Sequence, residues 1–483
     1  MVGVPRSSGC QLCRKRRVKC DEVRPGCGNC RKYRVECPGY ERGLKFISGK
    51  HQMRQRGKRN EREGGSSSPG DAAVSAGSTP ETIASHTAAL ITAPKPNRGE
   101  FINTIIAAVR TNISQSDVTG FLSWIELGRL GTRAVLDGAM CSVAMHLVGK
   151  EMSDQTMIAH SRSVYGKSLS SLQTSLCHAT EWKSSETLCA AMLLCVFELF
   201  AGTTSSETWL QHARGIGTLM EQRGPAAHRE GWDASMILAF RGVLIMCDMF
   251  FPTEEACFLS RPEWKPIIRD GGRHLIHPPQ LPDRTIRIVD DFFERLAELP
   301  AVLTPAYVLR ESRTMGTAQQ PEPEMIAALA QRAMECRRLF HAWFEEFKTL
   351  SVTPEEVPSK DPTSPFPVVL QHRVAWAGSM HMGYWASILI LQEALVQCQW
   401  PGNFVESRGE LVLNILRSLE SVGAGTMGPY RVGFSVRIAY EFASVEHQRW
   451  ILGLLDRFKK TYAATDGATY PKPRRDGEEE SSS

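Results

Sequence analysis

Two stretches, CQLCRKRRVKC at residues 10–20 and CGNCRKYRVEC at residues 27–37, decide how the N-terminal region folds. They set Cys10, Cys13, Cys20, Cys27, Cys30 and Cys37 in the spacing C-x2-C-x6-C-x6-C-x2-C-x6-C, with each of the last three cysteines 17 residues beyond its counterpart among the first three. One unit is therefore written twice. A lone C-x2-C arises in redox pairs and by chance, whereas six cysteines in doubled register are specific. Tetrahedral zinc takes four ligands, so two ions ask for eight ligand places where six thiolates exist. Two thiolates must bridge. If the units are related by a pseudo-twofold axis, the bridging pair is Cys10 with Cys27, Cys13 with Cys30, or Cys20 with Cys37. An all-thiolate set with no open position is structural rather than catalytic. About forty residues cannot build an adequate core, so the metal takes its place.

Charge is divided unevenly along the chain. Residues 1–62 hold 18 Lys and Arg against 5 Asp and Glu, a balance of +13, which leaves −8 for the remainder of a chain whose net charge is +5. Such asymmetry suits one segment to a polyanion and not the other. Between Cys13 and Cys20, Arg14, Lys15, Arg16, Arg17 and Lys19 fill five of six positions and are clamped by flanking ligands. Arginine can form bidentate bonds to guanine O6 and N7, worth about 1–3 kcal/mol of discrimination per pair. Arg31, Lys32 and Arg34, with Arg14, Lys15 and Lys19, are candidates for phosphate contacts that position without specifying. The run from Lys45 to Arg62 fits added non-specific affinity, a nuclear import signal or a solvated extension equally well.

The segment from about residue 8 to 42 resembles the fungal binuclear zinc cluster, the Zn(II)2Cys6 DNA-binding domain. The resemblance implies two zinc ions per chain, with Cys10 and Cys27 bridging, Cys13 and Cys20 completing one site, and Cys30 and Cys37 the other. Pro25 matches the proline of the loop that joins the two units in that family. The resemblance further implies that the short helix of the first unit enters the major groove and that Arg16 and Arg17 contact a CGG triplet. Farther along, Trp209, His212, Gly215, Leu219 and Arg223-Gly224-Pro225 resemble a signature of the fungal-specific transcription factor domain found downstream of such clusters. A nuclear regulator of RNA polymerase II genes, often metabolic or biosynthetic ones, is what the two resemblances imply.

Beyond the cluster the composition changes. From Gly64 to about Arg98 the chain is rich in Ser, Gly, Ala, Thr and Pro, and no aromatic residue occurs between Phe46 and Phe101. Such a stretch reads as a flexible linker. All ten tryptophans lie beyond residue 100, where 3.6-residue periodicity dominates. Helices are expected over about 155–176, 184–200, 284–298, 324–349, 366–397, 405–421 and 436–460. Another is signalled by the capping box Thr204-Ser205-Ser206-Glu207, followed by Trp209, Ala213, Ile216, Gly217 and Met220 on one face and stopped at Gly224-Pro225. The expected architecture is mostly α: a zinc cluster domain at 8–42, a linker at 43–98, a large all-α domain at 99–465 and a disordered tail at 466–483.

Several function classes drop away. The longest apolar run, Leu188 to Phe197, is far shorter than the ~20 residues that span a bilayer, and nothing after Met1 resembles a signal peptide, so neither membrane nor secretion is expected. The other eight cysteines show no metal-ligand spacing and read as buried thiols rather than disulfides. No G-x-S-x-G, H-E-x-x-H, phosphate loop or dinucleotide fingerprint marks an enzyme. His212, beside an apolar helix face, reads as a packing residue rather than a ligand. Double-stranded DNA is the expected partner, with transcriptional co-regulators and a homodimer left open, although residues 40–98 contain no sustained heptad. The alternative is a helical domain that acts as an enzyme or metabolite sensor anchored to DNA by the cluster.

Overall fold

In a computed structural model, the described residues are a subset of 12–37 (12, 13, 16, 18, 20, 21, 27–33, 35 and 37) and most of 122–470; within the latter, 123, 202–207, 251–256, 271–280, 315–321, 461, 463, 466, 468 and 469 are excepted. The linker expected at 43–98 and the capping box at Thr204–Glu207 lie outside them. The chain divides into two units, residues 1–63 and 64–483.

Among the described residues of the first unit, Leu12 and Cys13 are helical and Gly28–Lys32 form a short helix, α1. The described part of the second is mostly helical. The first α-helices among its described residues are α2 (Ala134–Glu151), α3 (Gln155–Cys177) and α4 (Ser185–Ala201), which pack on one another. Asp154 caps α3 by accepting from the backbone N–H groups of Thr156 and Met157 at 2.9 and 3.0 Å. Ser184 does the same for α4 through Thr187 N–H at 3.1 Å. The apolar run Leu188–Phe197 is buried on every side within α4. No helix among the described residues is long and apolar enough to cross a membrane.

Next comes α5 (Thr208–Arg223), whose buried residues include Trp209, Ala213, Ile216, Gly217 and Met220, the face read from the sequence. Its stop is physical. Gly224 adopts φ +79°, a left-handed conformation that favours glycine, and its N–H caps the Met220 carbonyl at 3.1 Å. His212 is half-buried, with Nε2 3.4 Å from the Tyr165 hydroxyl, and burial lowers its pKa.

The remaining α-helices among the described residues are α6 (Gly231–Phe250), α7 (Lys265–Asp270), α8 (Asp283–Leu296), α9 (Pro300–Thr314), α10 (Pro323–Lys348), α11 (Ala375–Gln397), α12 (Arg408–Val422), α13 (Gly428–Phe442) and α14 (Val445–Phe458). Two expected helices come out differently. The start of 366–397 is a strand, β2 (Val368–Gln371), antiparallel to β1 (Glu355–Pro358) with Glu355 opposite Gln371 and Pro358 opposite Val368. Pro365 and Pro367 deny helical hydrogen bonds there, and the β-branched pair Val368-Val369 suits a strand. The span 436–460 is broken where Ser444 leaves the helix and caps α14 through His447 N–H at 3.3 Å. The packed region also extends past 465, since Tyr470 sits edge-on to Tyr440 with ring centroids 5.1 Å apart.

One continuous apolar core runs through this unit. On α10, Phe340, Trp343 and Phe347 recur at helical spacing and are all fully buried. The Trp343 indole N–H donates to the Ile288 carbonyl of α8 at 2.8 Å, so even this ring leaves no unsatisfied donor. Between α6 and α8 a buried ion pair joins Arg241 to Asp290 at 2.6 Å, and the same guanidinium lies over the Phe293 ring at 4.1 Å.

Candidate metal centre and nucleic-acid interface

The doubled register of the sequence recurs in the backbone of the first unit. Arg16 N–H donates to the Leu12 carbonyl at 3.0 Å and Val18 N–H to that of Cys13 at 3.0 Å. The same two bonds occur 17 residues later, from Tyr33 to Asn29 at 3.2 Å and from Val35 to Cys30 at 3.1 Å. One local fold is thus built twice, as a repeated sequence requires.

These turns gather the sulfurs. Those of Cys13, Cys20 and Cys27 lie within 4.8 Å of one another, and so do those of Cys27, Cys30 and Cys37. Cys27 is common to both groups. Of the three bridging schemes that symmetry allows, this geometry suits the one in which the first cysteine of each unit is shared. Cys10, the other member of that pair, lies outside the described residues.

The separations fit metal rather than disulfide. Cys13 Sγ and Cys27 Sγ are 3.6 Å apart, far beyond the 2.03–2.05 Å of an S–S bond. Two thiolates on one tetrahedral zinc, each at about 2.3 Å, stand about 3.8 Å apart. Cys13, Cys20, Cys27 and Cys30 are buried and Cys37 half-buried. Backbone donors complete the arrangement. Cys27 caps α1, its Sγ accepting the Cys30 N–H at 3.3 Å, and such outer contacts orient metal ligands. The residues present therefore fit a thiolate-bound zinc pair.

Two further residues shape the unit, and sequence reasoning passed over both. The Asp21 carboxylate, just after Cys20, accepts the Gly28 N–H through both oxygens at 3.0 and 2.8 Å. A side chain at position 28 would collide with that carboxylate. Tyr33 lies under Arg16, whose guanidinium carbon is 3.8 Å from the ring centroid, within cation–π range. Tyr33 occupies the position 17 residues after Arg16, so the repeat register itself held the signal for this pair. Arg16, Arg31 and Lys32 are exposed, the last two in the final turn of α1. Arg14, Lys15, Arg17, Lys19, Arg34 and Pro25 fall outside the described residues.

In the second unit most of the remaining thiols behave as core, but Cys177, the last residue of α3, is exposed and Cys398 is half-buried, which corrects the expectation that all eight are buried. Cys189 and Cys195 are fully buried, and burial pushes both pKa values well up, which suits inert thiols rather than ligands or nucleophiles. Among the described residues, the groups of three or more ligand-type side chains close enough to share an ion are the two cysteine groups of the first unit.

A thiolate cluster within a basic segment has the chemistry to hold zinc and to attract a polyanion. Residues 8–45 match the fungal Zn(2)-Cys(6) binuclear cluster domain, and residues 85–245 match the fungal specific transcription factor domain, so the chain has the make-up of a Zn(2)-Cys(6) transcription factor with a fungal-specific domain. It is also similar to the uncharacterized protein AN5342 of Emericella nidulans, at 29% identity over 250 residues that cover 51% of this chain and 52% of that protein. The chain thus spans about half the length of the curated relative it matches. No solved structure matches it.

Proposed function

We propose that the chain is a sequence-specific nuclear regulator of RNA polymerase II genes that reads CGG-type half-sites. Cys10 and Cys27 bridge the two ions, Cys13 with Cys20 complete one site, and Cys30 with Cys37 the other. The observation that carries this is Cys27, which belongs to both sulfur groups of a fold repeated at 17 residues. Zinc supplies the rigidity that a core of about forty residues lacks.

Within that frame Arg16 and Arg17 read guanines. Arg14, Lys15, Lys19, Arg31, Lys32 and Arg34 grip phosphate, the contacts that set register without carrying sequence. Residues 8–42 form the DNA-binding domain, 43–98 a linker and the following helical region a non-catalytic regulatory domain that controls metabolic or biosynthetic genes. A homodimer and co-regulators fit this scheme as partners.

Binding of the full chain to a CGG duplex and to scrambled duplex tests the scheme. Arg17→Ala weakens CGG binding by about 1–3 kcal/mol while barely changing the scrambled affinity. Lys32→Ala weakens both alike. Equal losses on both duplexes for Arg17→Ala would falsify base reading by that residue.

A further inference from the structure

The helical unit holds a cavity of about 410 Å3 that DNA reading does not use. Helices α4, α5, α6, α8, α11 and α13 supply its walls, joined by Tyr462 and Tyr470 from the segment after α14. Its size falls within the roughly 300–1,000 Å3 in which proteins bind small molecules. The walls are mainly apolar. Trp209, Phe292 and Phe434 supply flat rings, and Met246 and Met380 are side chains flexible enough to fit an irregular body. Exposed Gln211 and Phe250 also line it, so the cavity opens to solvent there.

Two hydroxyls on these walls are left over by the protein. Ser435 is 2% exposed and Tyr462 5%, and neither hydroxyl has a hydrogen-bond partner among the described residues. Ser379 and Thr465, on the same walls, behave otherwise: Ser379 donates to the Ala375 carbonyl at 3.1 Å and Thr465 to that of Tyr462 at 2.9 Å. Ser435 sits within α13, where folding back on the carbonyl four residues earlier would satisfy it in the same way as Ser379. It does not. A buried hydroxyl without a partner is costly, and each such group calls for an explanation. Helix α13 also supplies room. Glycine inside a helix is unfavourable relative to alanine, yet Gly433 lines the cavity, and a Cβ there would meet no described heavy atom within 4 Å. Gly383, which lines it too, is explained by packing, since a Cβ would lie 2.7 Å from the Phe292 ring. What Gly433 preserves is open volume.

The two arginines on the walls are already engaged. Arg437 is ion-paired with Glu441 at 2.9 Å, and Arg431 donates to the Ala424 carbonyl at 3.3 Å. The groups with bonding capacity to spare are therefore neutral hydroxyls, set among rings and thioethers. We propose that the cavity binds a small neutral molecule, a flat apolar body bearing a carbonyl oxygen that accepts from the Ser435 or Tyr462 hydroxyl. This goes beyond the DNA-reading scheme, and its test uses no DNA.

The zinc-loaded full chain is titrated with prodan, a neutral aminonaphthalene ketone whose emission moves to the blue in apolar surroundings. The bound probe is then displaced with acetylnaphthalene, naphthalene or naphthoate. One saturable site is expected, with acetylnaphthalene more potent than naphthalene by about two- to tenfold, as one neutral hydrogen bond implies, and naphthoate the weakest of the three. Gly433→Leu fills the open volume and abolishes the saturable site without lowering the melting temperature. Ser435→Ala combined with Tyr462→Phe removes the ketone's advantage and leaves naphthalene unchanged, a readout that survives if the leucine variant misfolds. Absence of a saturable site in the unaltered chain overturns the proposal, as does undiminished probe binding in a folded Gly433→Leu variant. A ketone advantage that persists in the double variant overturns it, and so does naphthoate outcompeting the ketone, which would show that the site selects charge.

Discussion

The two units solve the same stability problem by opposite means. In the first, the described buried residues are Cys13, Cys20, Cys27 and Cys30, without one large apolar side chain. In the second, rings such as Trp343, Phe340 and Phe347 vanish completely into one core. A repeat of a few dozen residues cannot hide enough surface and must be tied by metal, whereas several hundred residues can. The difference implies that each unit has its own way to fail, and that neither failure should report on the other.

Metal removal produces the largest expected effect. Structural zinc sites contribute about 10–16 kcal/mol of apparent binding energy, so without metal the first unit has nothing to hold it. Native mass spectrometry of the full chain should count two zinc ions, and a strong chelator should abolish DNA binding. Because all ten tryptophans lie beyond residue 100, indole emission watches the second unit alone. That emission should stay put. A red shift on chelation would mean that the helical core also depends on metal, and the contrast between the units would collapse.

The converse experiment damages the core. Burial pushes the Asp290 carboxyl pKa up and that of Arg241 down, and their mutual attraction offsets both. Asp290→Ala leaves Arg241 buried without its ion-pair partner, a loss of about 3–5 kcal/mol. Urea unfolding followed by indole emission should show it, with the zinc count unchanged.

Acid should also act on the second unit, one step smaller per group. Burial lowers the pKa of His146 and of His372 to about 4. Unfolded histidine titrates near 6.5, so between these values the unfolded chain binds more protons and stability falls as pH falls. Each group contributes up to about 3 kcal/mol that is fully present above pH ~6.5 and lost by pH ~4. Urea midpoints read by indole emission from pH 7.5 down to pH 4.5 should trace that decline, less steeply in His146→Gln. A flat profile would show that these rings are not buried neutral.

The units also differ in how plainly sequence announces them. Ligand chemistry permits few spacings, so the cysteine pattern showed the cluster with no knowledge of its packing. Helices with one buried face, such as α5 and α10, were equally open to periodicity. Helices α2 and α6 were not foreseen: α2 is buried almost all round and α6 over most of its length, which weakens the polar stripe that periodicity needs. Helix α9 was obscured by Pro300, which starts it, and Pro305, which lies inside it.

The finest test of the comparison lies inside the first unit, where the residues that are not ligands should affect reading rather than folding. Tyr33 is 56% exposed, so its ring adds little to any core, yet its centroid lies 3.8 Å from the Arg16 guanidinium carbon. An exposed cation–π contact is worth about 0.5–1 kcal/mol, or a factor of roughly two to five in binding. If Arg16 reads guanine, losing the ring frees its guanidinium to wander, and preference for CGG over scrambled duplex should drop by that factor in Tyr33→Ala. Tyr33→Phe keeps the ring and should keep the preference. Both variants should retain two zinc ions, because the thiolates and the backbone bonds around them are untouched. If Tyr33→Ala instead loses metal, the aromatic ring is part of what holds the cluster, and the first unit is less purely metal-built than the contrast with the helical unit requires.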